Sequence, residues 1–220
     1  MSELSNLLPA LPELARGFAI TIALSLCAMV VSWVVGAIVL VVRLSPVAPL
    51  RILATIFISF MRGTPALVQL FLIFFTLPMI GIKVPPFVAA SITLGLNSSA
   101  YVAEILRGGL GSLHPGQAEA AEALGMRSWR IWTRVLLPQA VRVSLPSITN
   151  ELTLLVKTTP LASVVAVTEL SFAGQIIIAR TFQPTAVLLS IAAAFLVLNL
   201  ILTSLAGLLE RRFDIAGDRR

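Results

Sequence analysis

The residues able to do chemistry are few and scattered. The chain has one histidine, His114, and one cysteine, Cys27. Nucleophilic catalysis needs a nucleophile beside a base, and nothing in the sequence sets His114, at a proline turn, beside such a partner. The glycine-lysine loop that cradles phosphates is absent. Cys27 lies in an apolar run with no second cysteine, so it reads as a small packing residue. Neither a metal nor a cofactor is expected. What remains is a set of polar and ionisable residues inside apolar text: Arg62, Thr64 and Gln69; Asn97, Ser98, Tyr101 and Glu104; Glu151, Lys157 and Thr158; and Glu169. An ionisable group in a hydrocarbon span is costly and marks a pathway or a buried pair. Arg62 therefore reads as a pathway residue or as the neutralising partner of Glu104 or Glu151, with pairing the favoured reading. Asn97, Ser98, Ser99 and Tyr101 fit a pathway or interhelical hydrogen bonding equally.

The elements that carry these residues follow from composition. With 220 residues, 58% hydrophobic and 12% charged, and a mean hydropathy of +0.99, the chain is an integral membrane protein with no room for a separate soluble domain. A span takes roughly 20 apolar residues, which allows about five transmembrane helices. The net charge of +6 is explained by membrane orientation rather than by nucleic acid. Residues 1–16 read as a retained extracytoplasmic tail without the features of a signal peptide. The transmembrane domain covers 17–213 and a short tail 214–220 follows. Helix one is placed at Gly17–Val42, helix two at Arg51–Pro78 with an interruption at Arg62–Pro65, and helix three at Phe87–Arg107, released by Gly108, Gly109 and Gly111. Helix four starts near Arg142 and breaks at Lys157–Pro160, where unwound backbone could serve a pathway. Thr168–Thr185 reads as an external or re-entrant helix, with Glu169 either at an outer mouth or as a solvated loop carboxylate. Helix five spans Ala186–Leu209. Eleven arginines fall on one side of this arrangement against four basic residues on the other. That bias puts the C-terminus and the 108–142 loop in the cytoplasm and the N-terminus outside.

Within the loop, His114–Pro138 is polar, charged and long enough to fold. Pro115 and Gly116 open a short helix, Glu119 and Glu122 suit its dipole, and Gly125 ends it. Its interior of Ala120, Ala121, Ala123 and Leu124 is small enough to lie in a groove on a soluble partner. Ser128 is placed as the cap of a second short helix bearing Trp129 and Trp132, which suit the headgroup layer.

Glu119-Ala120-Ala121, then Gly125, then Leu137-Pro138 match the EAA motif of ABC importer permeases. The surrounding RGTPALVQLFLIFF, LNSSAYVAEILRGG, GQAEAAEALGM and VLLPQA resemble the permeases of polar amino acid importers, the histidine, glutamine, glutamate, arginine and opine group, from about Gly17 to Phe213. The resemblance implies an all-α, MetI-like type I importer fold in the bacterial inner membrane, itself not an enzyme. It implies that Glu119, Ala120, Ala121, Leu124 and Gly125 form a coupling helix docking on one of two ATP-binding subunits. A second permease copy, identical or related, would complete the path, and an extracytoplasmic binding protein would deliver an amino acid whose carboxylate could meet Arg62. Relatives often read Lys-Asp-Thr-Ser-Leu where this chain has Lys157-Thr158-Thr159-Pro160-Leu161, so the family's acid is not carried over to Thr158. The competing reading, a self-sufficient ion-coupled secondary transporter, expects repeated halves, and no convincing repeat is found.

Overall fold

The computed structural model describes residues 8–212; residues 1–7 and those from 213 on, including the 214–220 tail, lie outside the described residues. All described secondary structure is helical. Helix α1 spans Leu11–Arg43, after a 3₁₀ turn at Leu8–Ala10. It starts earlier than the expected Gly17 because Pro12 sits in the first turn, where its missing N–H costs nothing, and Glu13 complements the helix dipole. Much of the expected 1–16 tail is thus helix.

Helix α2 covers Ala48–Gly63 and α3 covers Ala66–Phe71, continued by a π segment, Leu72–Thr76, and a 3₁₀ turn, Leu77–Ile80. The two halves of the expected helix two are bent by 108°, more than the interruption of a single span. Thr64 is extended, as residues before proline tend to be, and Pro65 cannot donate to the preceding turn.

Helix α4, Pro86–Gly111, runs straight through the glycines expected to release it. A Cβ at Gly109 would stand 2.1 Å from Ser144 Oγ and 2.8 Å from the Ala140 carbonyl. This glycine permits a close crossing rather than a break. Helices α5 (Gly116–Ala123) and α6 (Ser128–Ile131) follow. A π segment, Trp132–Leu136, then leads without interruption into α7, Leu137–Thr158. Helix four therefore begins well before Arg142. Pro138 denies a donor to the Arg134 carbonyl, and the Leu137 N–H reaches back five residues to the Trp132 carbonyl. Ser128 is the first helical residue, not a cap; Arg127 holds the cap position without a side-chain bond.

Beyond Thr158 the chain tightens into a 3₁₀ run, Thr159–Val165, instead of unwinding at Lys157–Pro160. The true break comes at Ala166, with φ of 61°, and leads to α8, Leu170–Thr181, and α9, Pro184–Arg212.

Among the described residues, α1 and α9 are long and apolar enough to cross a membrane, and the number reaches four if each of the two bent pairs is counted as one span. Helix α4 is more polar, yet its 26 residues reach about 39 Å. It is the hub, packed on α1 along one side and on α7 along another. The α1 contact runs along Ala28, Ser32 and Gly36, part of a stripe of small residues of the kind that brings membrane helices close, whose earlier members Gly17 and Thr21 meet α8 instead. At Gly95 of α4 a Cβ would lie 2.5 Å from Val31 Cβ and 2.7 Å from the Ala28 carbonyl. Leu24, Ala28, Leu70, Ala90, Leu94 and Leu155 fill the core beside this crossing. Cys27 faces outward from α1, so it is not the packing residue expected.

Candidate functional site

The polar residues of α4 and α7 meet across an open cavity of about 690 Å³. Leu94, Asn97, Ser98, Tyr101 and Ile105 form its α4 wall, and Ser147, Asn150, Glu151, Leu154 and Thr158 form its α7 wall. Both sets follow the three-and-four spacing of one helix face. Ser98 Oγ donates to Glu151 Oε1 at 2.7 Å, and Ser32 Oγ of α1 donates to Ser98 at 3.1 Å. This chain across three helices fixes the carboxylate of Glu151, the one carboxylate lining the cavity. Ser32, Ser147 and Asn150 were not singled out in the sequence. The spacing of Ser147, Asn150, Glu151 and Thr158 was the available signal, and no local signal marks Ser32.

Arg62 pairs with neither Glu104 nor Glu151. Its guanidinium lies over the Tyr101 ring, 5.1 Å from the centroid, a favourable cation–π placement. Glu104 instead binds Arg107 one turn on, with a shortest contact of 2.8 Å. Thr64, Gln69 and Asn97 gather at the α2–α3 bend. Gln69 Nε2 donates to Thr64 Oγ1 at 2.7 Å and to the Met61 carbonyl at 3.1 Å. Asn97 Nδ2 donates to the same carbonyl at 2.8 Å and to Gln69 Oε1 at 3.2 Å. Lys157 is exposed in the last turn of α7 and does not line the cavity, whereas Thr158 does.

Glu169 is not a solvated loop carboxylate. It is 0% exposed and caps α8, accepting from the N–H groups of Ser171 at 2.9 Å and Phe172 at 2.8 Å. The next amide, Leu170 N–H, donates to Thr21 Oγ1 at 3.1 Å, which seats the cap against α1. Glu13 and Arg180 form an ion pair that ties the other end of α8 to the start of α1.

The loop helix α5 has the ends its sequence implies. His114 Nδ1 accepts from the Gly116 N–H at 3.1 Å, so the sole histidine serves the helix start. At the other end the Gly125 N–H reaches the Glu122 carbonyl and the Met126 N–H reaches that of Ala121, with Gly125 at φ +73°. This is the Schellman arrangement that favours glycine. Glu119, Ala120 and Leu124 are exposed, Leu124 by 83%, while Ala121 is turned inward. Trp129, on the following turn, is also open at 76%. Beneath them Gln139 Nε2 bonds the Val135 carbonyl at 2.9 Å and Gln117 Oε1 of α5 at 3.4 Å. These bonds connect the loop helix to the base of α7.

A helix bundle with an open cavity between two of its helices and an exposed loop helix matches a known family. Residues 33–215 fit the model described as binding-protein-dependent transport system inner membrane component. The chain belongs to this family. Similar proteins include the glutamine transport system permease protein GlnP of Escherichia coli K12, 37% identical, covering 96% of this chain and 97% of that protein. The L-cystine transport system permease protein TcyB of Bacillus subtilis is 38% identical, covering 92% and 87%. Among solved structures, an amino acid ABC transporter crystallised with histidines superposes with a TM-score of 0.85 at 35% identity, covering 91% of this chain and 94% of the other. The methionine transporter MetNI in an inward-facing state shares the fold, with a TM-score of 0.77 at 21% identity over 94% of this chain and 98% of the other. The chain is thus a multi-pass inner-membrane component of a binding-protein-dependent transport system, and the self-sufficient secondary transporter is set aside.

Proposed function

We propose that the chain is the permease subunit of an ATP-driven importer of a polar amino acid, with the α4–α7 cavity as its part of the path. The observation that carries this is the single fixed carboxylate of Glu151 in a cavity whose other lining residues are neutral, with Arg62 stacked on the ring of Tyr101, one of those lining residues. A zwitterion needs one acceptor for its ammonium and one donor for its carboxylate, and these two side chains supply one of each. Asn150, Ser147 and Thr158 add neutral hydrogen-bonding groups. The acid that relatives often carry at the position of Thr158 has a counterpart in Glu151, two turns earlier on the same face of α7.

In this reading Glu119, Ala120, Leu124 and Gly125 are the contact surface for an ABC ATP-binding subunit, with Ala121 packing the helix onto the permease. Two such ATPases and a second permease copy complete the assembly, and an extracytoplasmic amino acid binding protein supplies it. Arginine placement supports a cytoplasmic loop and C-terminus with an outside N-terminus. ATP hydrolysis belongs to the separate chain. Movement at the loop passes through Gln117, Gln139 and the π segment to α7, which bears Glu151.

The test is capture of a candidate ATP-binding subunit in detergent by the native chain and by a Glu119→Lys, Gly125→Asp double variant. Capture by the native chain and loss in a variant that remains monodisperse is the expected result. Equal capture by both forms removes the loop from the contact, and no capture by either removes the ATP-driven reading.

A further inference from the structure

The bend between α2 and α3 is held by side chains that reach it from the cavity wall. Met61 would normally accept from the backbone N–H of residue 65, but that residue is proline. A carbonyl left without a partner in a bilayer costs several kcal/mol (roughly) because no water replaces the donor. Two side-chain amides answer it: Gln69 Nε2 at 3.1 Å and Asn97 Nδ2 at 2.8 Å. Gln69 is 4% exposed and spends its second donor on Thr64, so both amides are committed. The residue after Met61 is Arg62, and the residue one turn after Asn97 is Tyr101, over whose ring the Arg62 guanidinium lies. Two adjacent positions on one face of α4 thus hold two adjacent residues of the bend. One fixes a backbone carbonyl and the other fixes a charge.

We propose that Asn97, with Gln69, is a positioning residue for substrate selection: its grip on the Met61 carbonyl sets the 108° bend that carries Arg62 to the ring of Tyr101, a residue of the cavity wall, from where the guanidinium receives the substrate's carboxylate. The proposal rests on the amino acid importer reading above. Asn97 lines the cavity itself, yet both of its donors point into the bend. It acts through Arg62 and not on the ligand.

The test is equilibrium binding of L-glutamine, L-arginine and L-cystine, each titrated into the purified permease–ATPase complex in detergent without binding protein. Arg62→Gln and Asn97→Ala are each expected to weaken the best-bound amino acid about tenfold, the size of one charge-assisted hydrogen bond. The double variant should be no weaker than Arg62→Gln alone, because the two changes remove the same contact. Asn97→Gln, which keeps the amide donors, should recover part of the loss. Pro65→Ala probes the bend with Asn97 intact: it returns an N–H to Met61, competes with the clamp, and should weaken binding as well. It also serves if Asn97→Ala does not yield a monodisperse complex. Additive losses in the double variant would assign Asn97 to direct ligand contact and overturn the positioning role. So would unchanged affinity in both Asn97→Ala and Pro65→Ala. If the native complex binds none of the three amino acids while still capturing its ATPase, the cavity assignment falls and this proposal with it. Native binding with unaffected variants removes only the clamp.

Discussion

Gly108 and Gly109 are neighbours in α4, and replacing each by alanine should have opposite effects. Helix propensity treats them alike: alanine is favoured over glycine by about 0.8–1.0 kcal/mol in a helix interior. Packing separates them. At Gly108 a Cβ meets nothing within 4 Å, so the propensity gain is kept, less what the nearby helix end removes. At Gly109 the Cβ would lie 2.1 Å from Ser144 Oγ and 2.8 Å from the Ala140 carbonyl. Ser144 can rotate away only by giving up its bond to the Ile105 carbonyl, 3.2 Å long, worth about 0.5–1.5 kcal/mol. The Ala140 carbonyl belongs to the α7 backbone and cannot rotate, so the helices must separate, an overpacking cost of about 1–3 kcal/mol. The balance is a gain of up to about 1 kcal/mol for Gly108→Ala and a net loss of about 1–3 kcal/mol for Gly109→Ala. Midpoints of SDS-induced unfolding in mixed micelles, followed by tryptophan fluorescence, would read both. Because α4 and α7 are the walls of the cavity, the Gly109 variant should also lose transport more than its stability loss alone accounts for. Equal stabilisation by the two alanines would refute the close α4–α7 crossing from which the cavity is built.

The other predictions concern carboxylates in contrasting settings. Glu169→Ala removes a buried cap and leaves the amides of Ser171 and Phe172 without their acceptor; stability should fall by about 1–2 kcal/mol in the same unfolding assay. Glu104→Gln opens an ion pair whose arginine is half exposed, so the loss should stay below about 1 kcal/mol and shrink in high salt. Glu151→Gln keeps an acceptor for Ser98 but removes the charge. In reconstituted vesicles uptake should drop at least about tenfold while ATPase capture is unchanged. Undiminished uptake would exclude Glu151 as the ammonium partner.

Much of the helix order was legible because apolar length and proline placement are local. Helix α5 is the clearest case: Pro115, Gly116 and Gly125 specify its ends by backbone geometry alone, and the structure has those ends. The errors share a different cause. Gly108, Gly109 and Gly111 read as breakers because helix propensity is local, whereas the reason for Gly109 lies 31 positions along, at Ala140. Arg62 read as the partner of a carboxylate because only charge can be paired on paper. Its actual neighbour, Tyr101, has no charge. Solvation of Glu169 stayed open as a reading because the amides that hold it follow it in sequence and need the turn at Ala166 to present themselves.

The polar residues first grouped as pathway candidates divide by the backbone they serve. In hydrocarbon a helix can be broken only where something else satisfies the freed groups, so each break needs nearby polar side chains whatever the protein transports. Thr64, Gln69 and Asn97 meet that need at Pro65, and Glu169 with Thr21 meets it at the start of α8. Their hydrogen bonds are committed before any ligand arrives. Ser98 and Glu151 bond to each other across the cavity and serve no break, and Tyr101, Asn150 and Thr158 line the same space. Recognition is therefore assigned to the second group and bend geometry to the first, with Arg62 as the point of contact between them. It sits beside the clamped carbonyl in the chain and over the ring of Tyr101, a residue of the cavity wall, in space. A substitution at Gln69 or Asn97 should change selectivity only through Arg62, whereas one in the second group should change it directly.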